Sequence, residues 1–143
     1  MAIKVGGTTV VDDSRNLTNV VSATLSNTLT IQKVVETTVA LGTVTTAATI
    51  NLFDGTLFTA TLGGNCTFTI TNPSGVCSFT LVLTNDGTPN RTVAFSGGTF
   101  KYPGGAAGLS RTTGASGIDI WSFFSTDGGT NWFGNISQKA HAA

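Results

Sequence analysis

The chain has 143 residues, enough for one compact domain with an added arm. Only 10% of its residues are charged, and seven basic side chains balance seven acidic ones. That argues against a basic face for nucleic acid and leaves little charge repulsion between copies. No apolar run is long enough to span a bilayer, and the N-terminus lacks the apolar core of a secretion signal. The expectation is synthesis in a cytoplasm, with neither a membrane nor nucleic acid as partner.

Residues 3–11, IKVGGTTVV, read as an interrupted short strand with Gly6-Gly7 as a kink or a hairpin turn. Asp12–Asn16 is a polar turn. Leu17, Val20 and Val21 can begin a helix capped at Asp13 or Ser14, but Thr, Ser, Asn and Val dominate residues 17–41 and are mediocre helix formers. With Leu25, Leu29 and Ile31 the segment is too apolar for a disordered linker. Residues 1–37 are therefore read as an extended arm that finds its partners on neighbouring chains, and residues 38–143 as the folded domain.

The β pattern returns from Thr38 to Phe53, with Val44–Leu52 as one strand. It is clearest from Phe58 to Phe95, where apolar and polar residues alternate with period two. Phe58, Ala60 and Leu62 share one face, as do Cys66, Phe68 and Ile70, then Phe79, Leu81 and Leu83, then Val93 and Phe95. A three-residue loop at Gly63–Asn65 pairs Leu62 with Cys66 and Phe58 with Ile70. The turn Asn72–Gly75 pairs Ile70 with Cys77 and Phe68 with Phe79. This predicts an antiparallel meander, in which the two cysteines lie roughly 13 Å apart at strand rise, beyond disulfide reach. Two buried free thiols follow.

After Phe95 comes a Gly-rich loop with one apolar knot, Phe100 and Tyr102. Ile118–Phe124 is a strong strand with bulky residues on both faces. The turn Asp127–Gly129 leads to a last strand, Asn131–Ile136, pairing Phe124 with Trp132 and Ile120 with Ile136. Residues 138–143 read as an exposed tail. Short strands with frequent turns predict an all-β fold, an antiparallel β-sandwich or jelly-roll-like domain with an extended N-terminal arm.

No catalytic constellation emerges, so the chain is not expected to be an enzyme. His141, the only histidine, sits beside the C-terminus, where a triad has no use for it. Asp54, Asp86 and Asp127 fall in turns that Asp favours. Asp119 lies inside a bulky strand, and pairing with Arg91 or Arg111 is the expectation for it. Gly104–Gly108 lacks the Lys-Ser/Thr of a phosphate loop, and neither metal nor cofactor is expected. Tyr102, Trp121, Trp132 and Phe133 can stack on sugar rings. The preferred alternative is that Trp132 and one face of Ile118–Phe124 fill the core; a third reading is that the other face packs on an identical chain. Trp121, Phe123 and Phe133 are the candidate oligomer interface, and Tyr102 the candidate ligand contact.

IKVGGTTVVDDSRNLTNV, residues 3–20, resembles a segment common in bacteriophage tail-fibre and other virion structural proteins. The blocks Thr61–Pro73, Phe79–Gly87, Arg91–Phe95, Tyr102–Gly105 and Phe123–Gly134 resemble a β domain of phage structural proteins; residues 21–55 match neither. The shared motifs are turns and core positions and carry no catalytic residues. The resemblance implies a virion location and a homotrimer. With no long shaft in the chain, the expectation is a capsid decoration (cement) protein. Its arm residues Ile3, Val5, Val10, Leu17, Val20, Val21 and Leu25 would tie it to a major capsid protein. The alternative is a short tail fibre or fibre-tip subunit, attached to a tail or baseplate component, whose Ser96–Gly117 loop touches a host glycan. A free carbohydrate-binding module stands third.

Overall fold

The computed structural model describes residues 3–5, 8–11, 33–105 and 111–141. The chain divides into two units, Met1–Val34 and Val35–Ala143. In the first, β1 (Ile3–Val5) and β2 (Thr8–Val11) pair antiparallel, with Val5 opposite Thr8 and Ile3 opposite Val11. The hairpin reading of IKVGGTTVV therefore holds over the simple kink. Of the arm residues, Ile3, Val5 and Val10 belong to these strands. Leu17, Val20, Val21 and Leu25 lie outside the described residues.

The described part of the second unit is all β. Its strands are β3 (Thr38–Val44), β4 (Ala47–Asn51), β5 (Leu57–Leu62), β6 (Cys66–Thr71), β7 (Cys77–Asn85), β8 (Val93–Ser96), β9 (Thr99–Lys101), β10 (Ile118–Ser125) and β11 (Asn131–His141). Two mixed or parallel sheets result, one of six strands ordered β3-β5-β7-β10-β11-β9 and one of three ordered β4-β6-β8. From β3 to β9 the chain changes sheet at every connection. β3, β5 and β7 run parallel in the large sheet, and β4, β6 and β8 run parallel in the small one. The path is thus a coil of three turns, each giving one strand to each sheet. Only β7, β10 and β11 pair antiparallel within this unit's described residues.

This corrects the meander. Leu62 does not face Cys66 across a hairpin; it lies beside Val44 and Asn85, while Cys66 lies beside Val93. Phe68 is beside Ala48 and Phe95 rather than Phe79. The predicted buried faces are right and the partners wrong, because period-two alternation specifies which side of a strand is apolar and nothing about its neighbour. The corner residues carry the missing information. A Cβ on Gly64 would stand 2.1 Å from the Thr45 carbonyl oxygen, and one on Gly63 would stand 2.7 Å from the Thr43 methyl. The Gly-Gly pair lets one corner of the coil settle on the corner before it, where Gly63 N–H donates to Val44 O (2.8 Å) and Thr67 N–H to Thr46 O (3.0 Å). The same corner splits the predicted strand Val44–Leu52, since β3 ends at Val44 and β4 begins at Ala47 in the other sheet.

The β10–β11 hairpin forms one residue out of the predicted register. Phe124 faces Phe133 rather than Trp132, and Ile136 faces Trp121 rather than Ile120. The connection explains the shift. The Asp127 carboxylate accepts the backbone N–H (2.9 Å) and side-chain amide (2.7 Å) of Asn131 and the Ser125 hydroxyl (2.9 Å). Gly129 N–H donates to Ser125 Oγ at 2.9 Å. Gly128 and Gly129 take the left-handed φ values of 67° and 85° that this tight path demands. Trp132 thereby turns inward and is fully buried. The predicted tail is also corrected: β11 continues to His141, with Ile120 opposite Gln138 and Ile118 opposite His141.

Both sheets contribute to one core. Phe95 of the small sheet stacks on Phe68 (5.7 Å between centroids) and packs against Phe123 (4.7 Å) and Trp121 (5.3 Å) of the large sheet. Phe79 stacks on Phe123 at 4.8 Å and meets Trp132 edge-on at 5.3 Å. Burying each such ring contributes about 1.5–3 kcal/mol, and the aromatic pairs add about 0.5–1.5 kcal/mol each.

Candidate functional site

β10 settles which of its two bulky faces is which. Asp119, Trp121, Phe123 and Ser125 point inward and are buried, while Ile120, Ser122 and Phe124 point outward. Trp121 and Phe123, each 2% exposed, are thus core residues of a single chain. The outward aromatic of this strand is Phe124, and its cross-strand partner is Phe133. Their rings stack at 5.2 Å and 23°, and they remain 49% and 39% exposed. The earlier trio of interface candidates therefore reduces to Phe133 on the outer surface, and Phe124 joins it. Register parity was the signal for Phe124: once Trp132 is inward, every residue that shares the face of Phe133 is outward.

These two rings form part of a groove of about 730 Å³ on the large sheet. Ser78 and Thr80 of β7, Ser122 of β10 and Asn135 of β11 supply hydroxyl and amide groups to it. Lys101 of β9 and the adjoining Tyr102 and Pro103 line it as well. The Lys101 ammonium stands 5.4 Å from the centroid of Phe133, within range of a cation–π attraction. Among the described residues, Lys101 is the one charged residue lining the groove.

Tyr102, the candidate ligand contact, is half-buried at the margin of the sheet, 6.5 Å from Phe123 centroid to centroid, and burial pushes its phenol up. It also lines a second cavity of about 430 Å³, shared with Phe95, Phe100, Trp121 and Arg111. The Arg111 guanidinium donates to Asn85 Oδ1 and to the Arg91 carbonyl. Burial pulls its pKa down, and the charge of Asp119 opposes that shift.

The expected pairing of Asp119 with Arg91 or Arg111 does not form as a hydrogen bond. The Asp119 carboxylate accepts the backbone N–H (2.9 Å) and hydroxyl (2.5 Å) of Thr112 and the Ala140 N–H (3.3 Å). It fastens residues 111–117 and the end of β11 to β10, a structural task that satisfies a buried carboxylate. Arg91 pairs instead with Asp86 at 2.8 Å. The cysteines are both free, Cys66 buried and Cys77 half-buried. Their separation follows from different sheets, not from hairpin geometry. Among the described residues no group of three or more His, Cys, Asp and Glu is placed to hold a metal ion.

The groove is suited to holding a ligand by ring stacking, hydrogen bonding and one positive charge. The chain matches no protein-family model, no curated protein and no solved structure.

Proposed function

We propose that this chain is a non-enzymatic structural protein of a bacteriophage virion, acting as a homotrimeric decoration protein that stabilises the capsid shell. The observation that carries this reading is the two-part organisation: a leading unit that opens in the apolar hairpin of Ile3, Val5 and Val10, followed by a sparsely charged all-β unit. A leading segment of this kind ties a projecting domain to major capsid proteins, and many copies acting together give avidity without any strong single contact. Deleting residues 1–37 tests it. The truncated protein should keep a β-type circular dichroism spectrum and a cooperative melt, yet no longer sediment with capsid shells. Retained shell binding removes the attachment role of the leading unit.

A second reading is favoured by the groove. A short tail-fibre or fibre-tip subunit attaches to a tail or baseplate component and presents a ligand surface to the host, and exposed aromatic rings in a concave, hydroxyl-lined groove suit a host glycan. Mixing the protein with tails and with shells, then measuring co-sedimentation, separates the two readings.

A further inference from the structure

We propose that the groove across β7, β10, β11 and β9 binds an acidic saccharide, with pyranose rings against Phe124 and Phe133 and a carboxylate at Lys101. The inference deepens the fibre reading, although sugar binding itself would be a property of the isolated chain.

Four observations converge. The groove measures about 730 Å³, within the range of small-ligand sites. Two phenyl rings that a monomeric core has no use for lie stacked and exposed in it, and an apolar pyranose face can cover such rings. The surrounding polar groups, Ser122, Asn135 and Thr80 among them, are neutral donors and acceptors of the kind that exchange hydrogen bonds with sugar hydroxyls. Finally, among the described residues Lys101 is the only charge in the lining, and no acidic residue lines the groove with it. An incoming carboxylate would complement it.

Other occupants fit less well. An extended peptide binds by adding to a free strand edge, but β7, β10 and β11 are interior strands with both edges paired, and the edge strand β9 gives the groove only Lys101. One lysine is too little for a nucleic-acid backbone, whose affinity scales with the number of phosphates neutralised. It is also too little for an anionic lipid surface, where each basic residue contributes modestly.

Isothermal titration of the full chain with hexagalacturonate and with maltohexaose tests the proposal. Hexagalacturonate should bind saturably and roughly tenfold or more tightly than maltohexaose, a gap of about one carboxylate contact. Added salt should narrow that gap. Lys101→Gln should make the two sugars equivalent. Phe124→Ser combined with Phe133→Ser should abolish binding of both while the protein keeps its β-type circular dichroism spectrum and a cooperative melt.

Absence of saturable binding to either sugar at millimolar concentration overturns the proposal, as does equal binding by the double variant. A wild-type oligomer that becomes monomeric in the double variant also overturns it, because a second copy then covers the rings. Tail attachment is scored separately. A protein that attaches to tails but binds neither sugar loses the saccharide assignment alone; one that binds hexagalacturonate but not tails loses the fibre reading alone.

Discussion

Gly134 and Phe123 face each other across the β10–β11 ladder, and the Phe123 ring lies directly over the glycine: a Cβ on Gly134 would fall 2.2 Å from Phe123 Cε1. The ring occupies the space of the missing side chain, so each residue is the reason for the other. Gly134→Ala should therefore destabilise by about 1–3 kcal/mol through overpacking, and Phe123→Ala by about 3–5 kcal/mol through the cavity it leaves. Together they should cost less than the sum, since the trimmed ring makes room for the methyl. Urea unfolding of the four proteins in the cycle measures the coupling, and strict additivity would contradict the shared-space account.

The corner at Gly64 makes a second prediction. Its hypothetical Cβ meets backbone, the Thr45 carbonyl, and not a movable side-chain tip. Gly64→Ala should cost about 1–3 kcal/mol. Gly87→Ala, in open space, should stay within about 0.5 kcal/mol of the parent. Thermal melts of both variants decide whether the corners stack as described.

Acid sensitivity follows from the turns. Asn131, through its side chain and then its backbone N–H, holds the Asp127 carboxyl below its usual range; Arg91, followed by the Thr88 N–H, does the same for Asp86. A depressed folded pKa means that the unfolded chain binds protons more readily, so stability rises with pH. The contribution is complete above the ordinary Asp value of about 3.9 and is lost as pH falls through the lower folded values. Melting temperature should therefore drop as pH falls below about 4. The drop should be shallower for Asp127→Asn, which no longer titrates. Parallel slopes for the two proteins would argue against the Asp127 turn as a source of acid lability.

The two thiols should react at different rates. Burial pushes the Cys66 thiol up and shields it, whereas Cys77 is half-buried at the start of β7. The burial of Cys66 and the readier access to Cys77 both favour reaction at Cys77. A maleimide followed by mass spectrometry should label Cys77 first, with Cys66 labelled only on unfolding. Equal rates would mean that β6 opens readily.

Much of the fold was legible in the sequence as faces. Phe58, Leu62, Phe68, Leu81 and Leu83 are buried as their alternation predicts. What the alternation could not convey was partner choice, because a parallel coil and an antiparallel meander bury the same side chains. Only spatial crowding at Gly63 and Gly64 separates the two, and glycine serves a left-handed loop equally well in a sequence reading. At the groove, Tyr102 and Phe133 were visible as surplus aromatics. Phe124 was hidden by a one-residue register error, which put Trp132 opposite it. The Asp127-centred turn, whose length is set by hydrogen bonds to Ser125 and Asn131, is what corrects that error. Lys101 had no local signal at all, since its place beside Phe133 depends on β9 joining β11 in parallel.

The coil also determines how the chain must find its shape. Val39 pairs with Phe58 nineteen residues later, and Cys66 pairs with Val93 twenty-seven residues later. Each turn of the coil closes a loop before any pairing rewards it, and that entropy is lost first. The neighbours Phe124 and Phe133 sit on the one short-range ladder of the second unit's described residues. Refolding followed by tryptophan emission should consequently run on the millisecond-to-second scale of non-local β proteins and not in microseconds. Until β7 receives β10, a newly made chain would hold an uncovered strand edge that another copy can occupy.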